Sequence, residues 1–403
     1  MSEHDPGTSS VPTIDVGDLL QAADRGDPLL LLDVRNEDEV KAWKIEARRP
    51  VETVYVPYFE FIEDETGSVA KVPGGRDIVV LCAQGGSSEM VAGMLAEAGM
   101  PARNVRGGMV AYGEYLDPVT VPLEAEEAGR FAIWQINRRG KGCLSYVVGS
   151  NGEAVVVDPM KNADWFAAFA AARGLRVVHV LDTHIHADHV SGGPALADRL
   201  GVPYSVSAGE GFELRQPVTP LQDGQILAIG GASGVTIEVR VMRTPGHTPG
   251  STSYLVGGRH LMTGDTVFVG GVGRPDLGGH VVEWGRALFT TLTERLSALG
   301  DDVLVLPAHY AGVQEIGANG VVSGRLGVIR ATVPELQFRT ADAFVESVRA
   351  AVKDPPPSYA EIIKVNLGVS TAPLEQITEW ELGKNECAAS AKRAARGGGE
   401  AWS

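Results

Sequence analysis

Cysteine is scarce in this 403-residue chain: Cys82, Cys143 and Cys387 are the only three. So sparse and odd a set forms no disulfide framework and fits a reducing compartment. Long apolar runs are missing as well, and none approaches the ~20 residues needed to span a bilayer. The opening residues MSEHDPGTSS carry neither a basic segment nor an apolar one, so a secretory signal is not expected and the cytoplasm is the expected location. Positive charge is in deficit. Lys and Arg total 35 against 51 Asp and Glu, a formal net charge of −16. A field of that sign repels phosphate backbones and anionic lipid, which argues against nucleic acid and membrane surfaces as partners. Glycine, by contrast, is abundant at 50 residues, well above the usual ~7%, and calls for many tight loops. With 44% hydrophobic and 21% charged residues the composition is globular, and the length suggests two or three domains.

Residues 13–118 alternate strand-like and helix-like text. LLLLDV (29–34) and IVVLC (78–82) read as buried strands, and SSEMVAGMLAEAG (87–99) as a helix stopped by Gly99. Such alternation implies a parallel sheet flanked by helices. The acidic, proline-bearing stretch 117–129 reads as a linker. Beyond it the text changes to strand pairs and glycine-rich loops. CLSYVVG (143–149) and EAVVVDP (153–159) are joined by an Asn-Gly turn, and RVVHVLDT (176–183) and IEVRVM (237–242) follow. HLMTGD (260–265) and DVLVLPAH (302–309) are short strands running straight into polar residues. The expected boundaries are 12–118, a linker at 119–129, a second domain at 130–355, and an extension at 356–403 whose end is expected to be disordered.

Five of the nine histidines sit in three short motifs: Thr183-His184-Ile185-His186-Ala187-Asp188-His189, Pro245-Gly246-His247-Thr248-Pro249-Gly250, and Pro307-Ala308-His309. Thr263-Gly264-Asp265 lies between the last two, again at a strand end. Strand carboxyl ends are where layered α/β folds place their ligands. A lone histidine reads as a loop or capping residue, but three imidazoles and a carboxylate within six residues are costly to gather without a metal. The donor types suit Zn, Fe or Mn, and no cysteine adjoins these motifs in sequence, so a thiolate ligand is not expected. His179, interior to a strand, reads as a core residue, and Cys143 as a small buried hydrophobe. Cys387 has no assignment.

HIHADH, PGHTPGS, TGD and PAH resemble the metallo-β-lactamase superfamily, an αβ/βα sandwich with a metal site along one edge. The run THIHADHVSGG and the segment TGDTVFVGGVGRPDL (263–277) are similar to persulfide dioxygenases of the ethylmalonic-encephalopathy-protein type. That resemblance covers roughly 130–365 and implies one Fe(II) per chain held by His184, His247 and Asp265. Two imidazoles and one carboxylate form a facial triad, which leaves positions for O₂, water and a substrate sulfur. His186, Asp188, His189 and His309 are retained as well, and could serve a second metal or support the first. Two Zn(II) and a glyoxalase II-like thioester hydrolysis are therefore the alternative within the same superfamily. Arg274 could clamp a carboxylate of the substrate thiol or, with Asp276, stiffen its loop.

Cys82 opens the loop CAQGGSS just before a helix. Small residues let successive amides point at one anion, and the helix N-terminus adds its dipole, so thiolate and persulfide are both favoured there. LLDVR (31–35), CAQGGSS and NVRGGMVAYGEY (104–115) resemble a rhodanese domain, which implies Cys82 as sulfane-sulfur carrier with Gly85 and Ser87 in its binding loop. The usual HIPGA segment is not recognisable, and the loop has Ser87 and Ser88 where thiosulfate-using members carry Arg. An inactive rhodanese fold used for docking is the alternative.

The expected whole is an α/β rhodanese domain followed by an αβ/βα metallo-β-lactamase sandwich. The reaction the resemblance implies is Fe(II)-dependent oxidation of a low-molecular-weight thiol persulfide by O₂ to sulfite and thiol, in sulfide detoxification. Cys82 either feeds the iron site or traps sulfite as thiosulfate, and fusion raises the effective concentration of a shared intermediate. A non-enzymatic sulfur carrier or sensor is the reading from another class. The thiol (glutathione, mycothiol, coenzyme A or another) and a homodimeric state are left open by the sequence.

Overall fold

A computed structural model describes residues 11–386, apart from 208, 211–213, 232–235, 352–353 and 356–357. The tail expected to be disordered and Cys387 lie outside the described residues. The chain divides into two compact units. One comprises residues 1–117 with 138–141 and 382–384, the other residues 118–137, 142–381 and 385–403.

The first unit is built on five strands: β1 (Thr13–Ile14), β2 (Leu29–Asp33), β3 (Glu52–Tyr55), β4 (Asp77–Leu81) and β5 (Ala102–Val105). They pair in parallel in the order β1-β5-β4-β2-β3. Side chains alternate across a strand, so the unbroken apolar runs feed two cores at once. Leu30, Leu32, Ile78, Val80 and Cys82 pack with Val91, Ala92 and Leu95 of the helix Gly86–Glu97. Leu29, Leu31, Val79 and Leu81 pack with Leu19 and Leu20 of the helix Val16–Arg25. Burial on both faces is what a parallel sheet requires.

Two six-stranded sheets form the second unit. The first contains β6 (Leu116–Thr120), β7 (Ala132–Arg138), β8 (Cys143–Ser150), β9 (Glu153–Val157), β10 (Arg176–Leu181) and β11 (Tyr204–Ser205), in the order β11-β10-β9-β8-β7-β6. The other contains β12 (Ile226–Ile229), β13 (Ile237–Arg243), β14 (Thr252–Val256), β15 (His260–Gly264), β16 (Leu304–Pro307) and β17 (Gly324–Arg325), in sequential order. Leu144, Tyr146, Val148, Val155 and Val157 meet Val239, Val241, Tyr254, Met262 and Leu306 in a core between the sheets. The opposite parity of β15 and β16, Leu261 and Val305, packs under Leu288, Ile329 and Phe344 of the covering helices. This is the helix–sheet–sheet–helix layering expected of the second domain.

The turn between β8 and β9 has Asn151 at φ 46° and Gly152 at φ 78°, with Ser150 opposite Glu153. Those are the angles a two-residue hairpin turn demands. The stretch 117–129 is not wholly a connector, since its start belongs to β6 at a sheet edge, the one place in a sheet that tolerates Pro118. Among the described residues no helix is long and apolar enough to cross a membrane.

Candidate metal centre and sulfur-binding loop

The chain leaves β10 at Leu181 and turns through a loop in which residues 181–190 are all buried. Buried backbone groups must find partners, and here remote side chains supply them. Asp158 accepts from Thr183 N at 2.7 Å, Glu210 from Ile185 N at 2.9 Å, and Glu381 from Val190 N at 2.7 Å. Asn366 accepts from Ser191 N at 2.9 Å and donates through Nδ2 to the carbonyls of His186 and His189, at 2.8 and 2.9 Å. Glu381 is itself paired with buried Lys161 at 3.1 Å.

That scaffold aims the histidines. His184, His247 and Asp265 offer ligand atoms all within 4.8 Å of one another. His184 Nδ1 lies 2.9 Å from Thr183 Oγ1, His247 Nδ1 2.8 Å from Arg274 O, and His309 Nδ1 3.4 Å from Gly142 O. With Nδ1 committed, each Nε2 lone pair is left facing Asp265, at 4.0, 3.5 and 3.2 Å respectively. Nε2 of His184 and of His309 has no hydrogen-bond partner among the described residues. Lone pairs turned on a carboxylate repel it, and a cation between them reverses the sign of every one of these interactions. The donor set thus fits a metal ion.

His184 and His247 stand on the Oδ2 side of Asp265, His309 on the Oδ1 side. Beyond His309 is Asp188, 3.6 Å away, and Asp188 Oδ1 lies 3.2 Å from His189 Nδ1. His186 turns its Nε2 away to Asp158 (3.2 Å) and Asp182 (3.9 Å). Asp158 therefore orients two histidines, His186 directly and His184 through the Thr183 hydroxyl, which donates to Asp158 Oδ2 at 3.0 Å. Arg274 spends Nε and Nη2 on Asp276 at 2.8 and 2.5 Å. Of its two expected roles this geometry favours stiffening the loop whose carbonyl orients His247.

One expectation is overturned. Cys143 is no mere hydrophobe, and a thiol does adjoin the histidine and aspartate cluster: its Sγ donates to Asp188 Oδ2 at 3.1 Å, and Cys143, Asp188 and His309 form a ligand-competent group. Spacing along the chain hides this, because β8 reaches the site through a bridge between Cys143 and His309. Asp158 and Asp182 were missed as well. The signal was available, since both follow apolar strands just as Asp265 does. Asn366 and Glu381 had none, lying nearly two hundred residues from the loop they hold.

Burial dominates the protonation of the site. It pushes His184 well below the ordinary imidazole range, with the charges of His186 and His247 adding to it, and holds His247 and His309 down to about 4. Burial opposes the charge on His186 too, but Asp158 and Asp182 lift it to about 10. Without metal, the unfolded chain takes up the His247 and His309 protons near 6.5 and the folded chain only near 4. The unfolded state then binds more protons, so stability falls as pH drops through that window. His186 adds stability that is complete below 6.5 and lost as pH rises toward 10, so it does not offset the acid loss. Chemical denaturation of metal-free protein should show its midpoint falling from pH 6.5 to 4, and a flat profile would contradict this balance.

Gly264 fixes the approach of β15 to the histidine loop. At φ +53°, a Cβ on it would stand 2.5 Å from Thr183 Oγ1, the hydroxyl that orients His184. Gly264→Ala is expected to destabilise the fold by about 1–3 kcal/mol and to weaken metal binding with it. Thermal unfolding with and without metal checks both.

In the first unit, β4 ends at Leu81 and Cys82 begins the loop that leads into the helix Gly86–Glu97. Gly85, at φ 105°, donates its N–H to Cys82 Sγ at 3.0 Å. The hydroxyl that reaches the sulfur is that of Ser88, at 3.1 Å, rather than that of the expected Ser87. Ser88 also stands 2.7 Å from Asn104 Oδ1, and Asn104 Nδ2 donates to Gly85 O at 3.1 Å. The glycine pair after β5 has a steric cause. A Cβ on Gly108 would meet Cys82 O at 2.3 Å, and only without one do Met109 N and Val110 N reach Cys82 O and Ala83 O, at 3.0 and 3.1 Å.

Comparison with known proteins matches residues 15–115 to the rhodanese-like domain and 138–309 to the metallo-beta-lactamase superfamily. A hydroxyacylglutathione hydrolase of Anaeromyxobacter dehalogenans is 38% identical over 147 residues, 36% of this chain and 54% of its own length. The mitochondrial persulfide dioxygenase ETHE1 of Homo sapiens is 30% identical over 170 residues, 41% of this chain and 63% of its own. The chain thus spans less than two thirds of either relative. The crystal structure of ETHE1 from Myxococcus xanthus superposes with a TM-score of 0.50 at 25% identity, covering 59% of this chain and 98% of that one. The chain thus combines a rhodanese-like domain with a following metallo-beta-lactamase superfamily domain, whose His/Asp cluster is the metal-binding site of that fold.

Proposed function

We propose that the second unit is an Fe(II)-dependent persulfide dioxygenase and that Cys82 of the first unit carries sulfane sulfur. The observation that bears most weight is the donor set His184, His247 and Asp265, two imidazoles and one carboxylate, in the same chain as a glycine-rich cysteine loop. This is the ligand combination of oxygen-activating non-haem iron.

Bound iron would supply a redox centre at which O₂ and the terminal sulfur of a thiol persulfide meet. The balance is RSSH + O₂ + H₂O → RSH + SO₃²⁻ + 2H⁺, the terminal sulfur losing the four electrons that O₂ gains. The protein's part is to hold the triad. Thr183 and Arg274 O fix the ring faces of His184 and His247, and burial keeps both imidazoles neutral and ligating at physiological pH. At the other site a persulfide on Cys82 is received by Gly85 N–H and the Ser88 hydroxyl. Attack by sulfite then gives thiosulfate and regenerates the thiolate: Cys–S–S⁻ + SO₃²⁻ → Cys–S⁻ + S₂O₃²⁻.

A second reading, a dinuclear zinc thioester hydrolase, draws on His309 and Asp188 lying on the far side of Asp265 and on the hydrolase relatives. Anaerobic purification, metal quantification and O₂ uptake with several thiol persulfides separate the two. One iron per chain with persulfide-dependent O₂ uptake is expected. Two zincs with thioester turnover and no O₂ uptake would overturn the proposal.

A further inference from the structure

In the first unit, one hydroxyl proton is contested by three acceptors. Asn104 stands on β5 opposite Val80 of β4, and Cys82, Ser88 and Asn104 are all buried. The Ser88 hydroxyl oxygen lies 2.7 Å from Asn104 Oδ1, 3.1 Å from Gly85 O and 3.1 Å from Cys82 Sγ. A hydroxyl has a single proton to donate, so these neighbours cannot all be served at once. The amide of Asn104 is oriented by its other end. A carbonyl only accepts, and Asn104 Nδ2 donates to Gly85 O at 3.1 Å, which leaves Oδ1 towards Ser88. Gly85 O also receives Glu89 N–H at 3.1 Å. The contest for the Ser88 proton is therefore between Asn104 Oδ1, at the shorter distance, and Cys82 Sγ.

The charge on the sulfur decides it. A neutral thiol donates its own proton to a Ser88 lone pair while Ser88 donates to Asn104, and each group is satisfied. A thiolate has no proton to give. The Ser88 hydroxyl then turns to the sulfur, and Asn104 Oδ1 loses that donor in a buried place, where the loss is costly. We infer that Asn104 is a positioning residue of the sulfur carrier: acting through the Ser88 hydroxyl, it withholds part of the stabilisation the Cys82 thiolate would otherwise receive. A less stabilised thiolate is a stronger nucleophile. The step it serves is Cys–S⁻ + RSSH → Cys–S–S⁻ + RSH. The donor's S–S bond breaks as the new one forms, and the persulfide proton leaves on the thiol. The identity of that step rests on the reading of Cys82 as sulfur carrier, whereas the shared proton rests on geometry alone.

The test is the pH dependence of Cys82 alkylation by iodoacetamide in the full-length protein, read by peptide mass so that the other cysteines do not interfere. Asn104→Leu keeps the size of the side chain and leaves Gly85 O its bond from Glu89. It should lower the pH of half-maximal rate by about one unit, the worth of one hydrogen bond to a charged group. The plateau rate at high pH should fall about threefold, because nucleophilicity declines with basicity. In a Ser88→Ala background the same substitution should move neither value. Asn104→Ala, equally unable to accept the proton, carries the same expectations if the leucine variant does not fold. A midpoint that stays or rises, a plateau that falls alone, or a shift that persists without Ser88 would each overturn the inference. Failure of the carrier reading would show as the absence of a sulfur adduct on wild-type Cys82 and leave the alkylation results untouched.

Discussion

Asp265→Asn is expected to lower the affinity of the metal centre by more than about 100-fold, beyond the loss usual for a supporting partner of a ligand, and to abolish metal-dependent turnover. Three imidazole nitrogens, from His184, His247 and His309, face its two oxygens at 3.2–4.0 Å, and none of the three rings carries a negative charge. Within the set His184, His247 and Asp265, the carboxylate is the only anionic donor. Asparagine keeps the volume, so β15 and its packing survive, but the charge that offsets the cation is gone. Chelator competition and metal quantification after gel filtration give the affinity, and circular dichroism verifies the fold. Stoichiometric metal in a folded Asp265→Asn protein would mean that the cation sits elsewhere.

Cys82→Ser should reduce sulfur transfer from a persulfide to sulfite by at least about 10³-fold, as loss of an obligatory nucleophile does. The sulfur accepts from Gly85 N–H at 3.0 Å and lies 3.1 Å from the Ser88 hydroxyl, at the start of a helix. A serine oxygen fits the same cradle, but it is a far weaker nucleophile at neutral pH and cannot hold sulfane sulfur. Thiosulfate production by the variant measures the loss, and intact-mass detection of a +32 Da adduct on wild type only (one sulfur atom) identifies the carrier. Metal uptake by the second unit should be unchanged, which separates loss of the carrier from general damage. Retention of full transfer activity would return the first unit to a docking role.

The two cores were legible because they follow strand parity. The run 29–33 and the run 78–82 each deliver alternate residues to opposite faces, and the apolar text announces both. The candidate metal-binding group was legible because His184, His247 and Asp265 lie in short polar motifs just after strands, where little else explains them. What escaped depends on contacts between distant segments. Ser88 rather than Ser87 faces the sulfur because a helical turn sets the direction of each side chain, which a loop of small residues does not disclose. Cys143 looked like strand interior because its neighbours are apolar, and only the bridge to His309 reveals the carboxylate beside it.

The grip of Asn366 and Glu381 on the histidine loop bears on where this catalytic unit can be cut. The superfamily match ends at residue 309, and a fragment trimmed there keeps His184, His247, Asp265 and His309. It would still strip partners from two amides, those of Val190 and Ser191, and from the carbonyls of His186 and His189. A single proteolytic nick ahead of the helix Ser358–Asn366 would threaten the same bonds in an ageing protein.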